Sequence, residues 1–233
     1  MEDIDPERLS RVRRELARGE RDPSRTLCSA SATIVGVAGA GVVLMSQRQT
    51  LGLVCVSDAR TAVVEDVQYA LGEGPCLDAF TSLEPVLVPD LATLEPSRWA
   101  AFRVGALEAG VHAAFGFPLL IGTTCIGALD LYHVEAGTLT AEQVADAEAV
   151  AYVAAQTVLT WQAIAEEDSL AWQLEQVPMH RASVHQATGM VSVQAAVSVD
   201  DALVMLRAHA FAKGRPVGEV ASDVVAGRLR IDG

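Results

Sequence analysis

The chain has 233 residues, 51% of them hydrophobic and 20% charged, and a formal net charge of −13 at pH 7. That is apolar surface enough for packed cores, which excludes a disordered chain, and the acidic balance excludes a protein that holds nucleic acid by bulk electrostatics. No apolar run reaches the roughly 18 residues of a membrane span, because Val111 to Asp130 is broken by His112, Gly116, Pro118 and the turn Gly122-Thr123-Thr124.

The N-terminal stretch Met1 to Arg25 is densely charged and lacks the apolar segment of a secretory signal, which predicts a cytoplasmic protein with no membrane partner. Within it, Asp5-Pro6-Glu7-Arg8 opens a helix with an N-cap aspartate and a proline at the first helical position, and Gly19 ends it. A second helix from about Ser24 places Leu27, Ala30 and Ile34 on one side and stops near Gly36. Ala38-Gly39-Ala40-Gly41 reads as a turn. Gly41 to Met45 and Leu51 to Ser57 are short apolar runs separated by polar residues, which predicts paired strands.

Ala59 to Leu71 is helical by period and ends at Gly72; Gly72-Glu73-Gly74-Pro75 then turns into a short helix carrying Cys76, Ala79 and Phe80. Val86-Leu87-Val88 is a strand and Ser97 to Ala109 a helix. Two long strands follow, about Val111 to Ile121 and Cys125 to Val134. Val111, Ala113, Phe115 and Phe117 alternate with other positions, so these strands form a hairpin with one face on a core. Helices interspersed with strands and a late hairpin indicate an α+β fold around an antiparallel sheet.

From Thr140 to Val177 the pattern is helical, Ala-rich and free of Gly and Pro. Val144, Ala151, Val158 and Ala165 recur every seven residues, with Ala147, Ala154 and Trp161 three further on, an a/d seam of small residues. A helix that long is expected to pair with its counterpart in a second chain as a coiled coil, giving a homodimer. Trp161 and Trp172 share a face and read as dimer-core or packing residues, and Pro178 interrupts the helix.

The last fifty residues read as three short amphipathic helices, around 185–191, 198–210 and 216–225. Ser198 with Asp201 three residues on approaches a capping box, and Ala202, Leu203, Leu206, Ala210 and Phe211 form a core-facing stripe. Gly214 stops the middle helix and Pro216 begins the last. Residues 181–233 carry six cations against five anions, so this end is about +1 while the rest is about −14. It is the part able to approach phosphate, though RNA affinity there should depend on shape and base contacts more than on charge.

This segment resembles an ANTAR domain, the three-helix RNA-binding module of bacterial transcription antitermination regulators. The resemblance rests on Gln186-Ala187-Thr188-Gly189, Ala202, Leu206-Arg207, Ala210 and Val220-Ala221, in order and at the family's spacing. Many family members carry Lys where this chain has Thr188. Residues from about 24 to 160 resemble a GAF domain, a sensory fold with a ligand pocket, through Gly72-Glu73-Gly74-Pro75-Cys76, Ala79 and Gly127-Ala128-Leu129-Asp130-Leu131. The Asn-Lys-x-Phe-Asp-Glu signature of cyclic-nucleotide-binding members is absent. The expected organisation is an N-terminal helix (1–23), a GAF-like sensor (24–160), a helical connector (161–180) and an ANTAR-like RNA-binding domain (181–233).

The four cysteines, at 28, 55, 76 and 125, have no Cys-x-x-Cys spacing and read as reduced, mostly buried thiols rather than a disulfide framework or a zinc site. Cys76 has the most reactive context, a Gly-rich turn before a helix N-terminus, although a small buried side chain is the simpler reading. Tyr132, His112 and His133 lie on the late hairpin, with His133 expected in solvent and Tyr132 a candidate with Cys76 for a ligand-binding or redox role. No Glu/Asp pair, Ser-His-Asp set or phosphate loop is evident, so no catalytic residues are assigned and the cofactor is unknown beyond a possible small-molecule ligand of the sensor.

Candidates for RNA contact are Thr188, Arg207, His209, Lys213 and Arg215, with Arg207 emerging at the edge of the bundle where its guanidinium can meet an unpaired base. The resemblances imply a signal-responsive antitermination regulator whose dimer grips tandem stem-loops in a nascent transcript. Two other readings stand: a sensor whose C-terminal bundle docks a protein, and a thiol-dependent methionine sulfoxide reductase of the GAF type.

Overall fold

The structure is a computed structural model that describes residues 5–16, 23–46, 49–168 and 179–231. Two compact units divide the chain, residues 1–168 and 169–233.

The first unit is built on a five-stranded antiparallel sheet, with strands β1 (Gly39–Ser46), β2 (Gln49–Val56), β3 (Val86–Val88), β4 (Ala113–Ile121) and β5 (Thr124–His133) in the order β2-β1-β5-β4-β3. Side chains alternate across it as the pleat requires. Ala40, Val42, Phe115, Phe117, Leu129 and Leu131 form one face and bury against helices α2 (Pro23–Val35) and α6 (Ala141–Asp168). The opposite face is covered by α3 (Ala59–Leu71), α4 (Pro75–Ser82) and α5 (Ala100–Glu108).

Helix α1 (Pro6–Leu16) lies outside α6 and α2, its entry fixed by the Asp5 carboxylate, which accepts from the Glu7 N–H at 3.0 Å. Val12 points into the core, and Arg8 bridges to Glu142 at 2.7 Å and to Asp146, which also pairs with Arg11. At the start of α3 the Asp58 carboxylate accepts from the backbone N–H groups of Arg60 and Thr61, and Gly72 ends the helix in the left-handed region at φ 65°.

Several expectations need correction. Gly39, Ala40 and Gly41 are strand rather than turn: they pair with Tyr132, Leu131 and Asp130 of β5. Between Ala147 and Val158 the small-residue seam of α6 is not free to pair with another chain, while the side chain of Ala165 lies outside the described residues. Ala147, Ala151, Ala154 and Val158 are at most 3% exposed and belong to the core shared by the sheet, α2 and α6. The heptad pattern arises because a helix sandwiched between a sheet and an outer helix also needs small residues on the crowded side. Trp161 is half-buried at the edge of this core, and Trp172 lies outside the described residues.

Cys28 and Cys55 are joined in a disulfide, with Cα atoms 5.9 Å apart, against the expectation of four reduced thiols. The bond ties α2 to the edge strand β2. A separation of 27 residues has no motif to announce it, and only the packing of α2 on β2 brings the sulfurs together.

In the second unit α7 (Met179–Ala195), α8 (Val199–Ala212) and α9 (Val217–Val225) pack around Val184, Ala187, Val191, Ala202, Leu206, Val220 and Val224. The Ser198 hydroxyl caps α8, accepting from the Asp201 N–H at 3.1 Å and donating to the Asp201 carboxylate at 2.7 Å. Among the described residues no single helix is long and apolar enough to cross a membrane.

Candidate functional site

In the first unit the chemistry gathers at the centre of the sheet. Asp130 lies mid-strand on β5 with no exposed surface, and its register partners are Gly41 on β1 and Gly116 on β4. Two glycines leave the sheet bare on both sides of this carboxyl, and the helices above settle into the space. A β-carbon at position 41 would collide with the Glu65 carboxylate, and one at position 116 would stand 2.6 Å from the Pro75 carbonyl oxygen.

Gln68, one turn after Glu65, donates through Nε2 to the Tyr132 hydroxyl at 2.7 Å and to Asp130 Oδ2 at 3.2 Å. Its Oε1 accepts from the Cys76 N–H at 3.2 Å, which fixes the start of α4. The Tyr132 hydroxyl donates to Glu65 Oε1 at 3.1 Å. Gly74 takes φ 133°, and any side chain there would strike Gln68. Glu65, Gln68, Cys76, Asp130 and Tyr132 are each at most 1% exposed.

Burial pushes the Asp130 carboxyl well above the ordinary carboxylate range and the nearby Glu65 pushes it further, while hydrogen bonds from Gln68 and Cys76 oppose the shift. Burial likewise raises the Tyr132 hydroxyl, with the charges of Asp130 and Glu65 adding to it. Two carboxyls sharing a low-dielectric site cannot both ionise cheaply, so the arrangement can hold a proton at the middle of the sheet.

Of the residues expected here, Cys76 and Tyr132 do come together, both buried. The carboxyl pair Glu65 and Asp130 overturns the expectation that the chain has none. His112 is exposed, whereas His133 is half-buried and its Nδ1 is enclosed. A groove of about 490 Å³ runs between α6 and the end of β4, lined among others by Leu83, Phe117, Pro118, Glu148 and Tyr152; no member of the polar cluster lines it.

In the second unit the candidate RNA contacts fall into different environments. Thr188 is 4% exposed and its hydroxyl donates to the Val184 carbonyl at 2.7 Å, so it is part of the bundle interior rather than a contact on the surface. Arg207 and His209 are half-buried, and Lys213 is exposed where α8 ends. Arg215 is exposed but paired with Asp223 at 2.8 Å and Glu219 at 3.7 Å, and Asp223 also meets Arg228 at 2.7 Å. Hydrogen bonds from Arg215 and Arg228 hold the Asp223 carboxyl below its usual value. Phe211 is 71% exposed, contrary to the stripe that placed it in the core.

The family model of the GAF domain matches residues 17–158, and that of the ANTAR domain matches residues 172–225. The chain belongs to the GAF family and carries an ANTAR domain. The fold of its GAF domain is also that of solved GAF domains. One, from a phosphoenolpyruvate-protein phosphotransferase of Coxiella burnetii, is 15% identical, covers 67% of this chain and 94% of its own, and has a TM-score of 0.52. Another, from the Acinetobacter phosphoenolpyruvate-protein phosphotransferase, is 11% identical, covers 70% of this chain and 98% of its own, with a TM-score of 0.51. No curated protein matches the chain.

The polar cluster is therefore a feature of the GAF domain and the cationic end of α8 a feature of the ANTAR domain. Both domains are regulatory, a sensor and an RNA-binding module.

Proposed function

We propose that this GAF and ANTAR domain protein is a signal-responsive transcription antitermination regulator: the GAF domain takes up a small molecule or redox signal, and a homodimer of ANTAR bundles binds tandem stem-loops in a nascent transcript to keep a terminator hairpin from forming. The observation that carries the reading is the match of residues 172–225 to the RNA-binding family together with a bundle where Lys213 is exposed and Arg207 half-buried. A bundle so close to neutral suits unpaired loop bases, which offer edges and faces that a duplex hides.

Two bundles on one RNA gain from effective concentration, so a signal that changes their separation is enough to switch binding. Within the GAF domain, Glu65, Asp130, Tyr132 and Cys76 are the groups whose protonation or oxidation such a signal would alter. Because the α6 seam through Val158 is occupied internally, the homodimer of this proposal uses another surface.

The test is a gel shift of the full chain with a two-stem-loop leader RNA over a range of salt. Binding that needs both stem-loops and weakens with salt supports the proposal; no shift at low salt, with a protein partner captured by the same bundle, favours the docking alternative.

A further inference from the structure

Helix α8 is apolar on two sides. Its inward stripe, Ala202, Leu203, Leu206 and Ala210, is at most 5% exposed and fills the bundle core. Its outward stripe is Val204, Ala208 and Phe211, spaced at four and three residues and so aligned on one face. Val204 is 61% exposed and Phe211 71%, and Phe211 is the one aromatic among the large exposed hydrophobics of the described residues.

Two cations lie close to Phe211 in the sequence. Arg207 lies one turn before it, at the border between the inward and outward faces, and Lys213 lies two residues after it. The acids of the neighbouring helix are engaged: Asp223 is held by Arg215 and Arg228, and Glu219 faces Arg215. Lys213, the residue that caps the end of α8, has no ion pair among the described residues.

We infer that Phe211 is the base-stacking residue of the ANTAR domain, presenting its ring to an unpaired RNA base while Arg207 and Lys213 meet the flanking phosphates. This rests on the RNA-binding reading. A bundle with a net charge of about +1 cannot draw its affinity from counterion release alone, whereas stacking on an aromatic ring adds affinity without charge. An exposed phenylalanine one turn after Arg207 supplies that face.

The experiment uses the full chain and an RNA selected against it from a pool of two-stem-loop molecules with randomised loops, with 2-aminopurine then placed at each loop position. Recovery of no RNA would overturn the RNA-binding reading itself. Given an RNA, Phe211→Ala is expected to weaken binding about tenfold or more, the loss of a single base stack, with an unchanged salt slope and an unchanged melting temperature. Phe211→Trp should retain binding, and quenching of one 2-aminopurine should vanish in Phe211→Ala and persist in Phe211→Trp. Phe211→Leu binding as well as wild type would overturn the inference, because an aliphatic contact would then suffice. So would a Phe211→Ala chain that keeps its RNA affinity as a monomer but loses dimerisation in native mass spectrometry, which would make the stripe a seam between two copies.

Discussion

Glu65 reaches the sheet directly over Gly41, through the volume that a β-carbon at that position would fill. The contact explains why β1 has a glycine opposite Asp130 and how a carboxylate on α3 comes to accept from Tyr132 on β5. It makes the glycine a test of the cluster. Gly41→Ala should destabilise the chain by about 1–3 kcal/mol, as overpacking in a closed core does, and Glu65→Ala in the same chain should recover part of that loss. Urea denaturation of the two single variants and the double variant measures the coupling.

Asp130 sets a pH dependence. The folded chain holds its proton more tightly than the unfolded chain, since burial and Glu65 raise its carboxyl well above the ordinary value. Folding therefore takes up a proton between the two values, and this contribution is complete below about pH 4, the unfolded value, and is lost as pH rises through the folded one. Asp130→Asn should flatten that decline, so that its stability relative to wild type improves from pH 5 to pH 8 in urea titrations. A parallel decline in both proteins would refute the assignment.

The Cys28–Cys55 bond closes a loop with a sequence separation of 27 residues that includes the whole of β1. Its reduction, or Cys28→Ser with Cys55→Ser, should cost about 3 kcal/mol through the greater freedom of the unfolded chain. Calorimetry with and without a thiol reductant shows it as a lower melting temperature for wild type and no shift for the double variant.

Removing the α8 cap by Ser198→Ala should cost about 1 kcal/mol, confined to the ANTAR domain. Hydrogen exchange read by mass spectrometry should show faster exchange in α7 to α9 and unchanged protection in β4 and β5.

Among the cations, Lys213→Ala should lower the salt slope of RNA binding by about one unit with little effect on stability. Arg215→Ala should instead act weakly and mainly on folding, as loss of an exposed pair does, because Asp223 and Glu219 already occupy its guanidinium.

Local signals carried much of the architecture. Ser198 announces α8 because a cap and its N–H lie three residues apart, and Gly72 and Val86-Leu87-Val88 mark their elements for similarly short-range reasons. The polar cluster was hidden because Glu65 and Asp130 are 65 residues apart, and only the register Gly41–Asp130–Gly116 brings them together. A lone aspartate inside Gly127-Ala128-Leu129-Asp130-Leu131 was the one available hint, since a carboxylate in an apolar strand requires a partner. Phe211 falls outside the core stripe because residues 210 and 211 differ by about 100° around a helix, and only Ala210 turns inward. The α6 repeat is ambiguous for a related reason: a seven-residue period specifies a flat apolar strip and leaves open whether a sheet or a second helix covers it.

Between Ala147 and Val158, α6 is enclosed by the chain's own sheet and helices, whereas Leu159 and Thr160 are exposed. The buried portion is thus clamped at a fixed azimuth, and each residue inserted after Trp161, which still packs on that core, would turn the following residues of α6 by about 100°. A ladder of one-residue to four-residue insertions would then show whether RNA affinity oscillates with helical phase, the signature of a rigid shaft, or declines steadily, the signature of a tether.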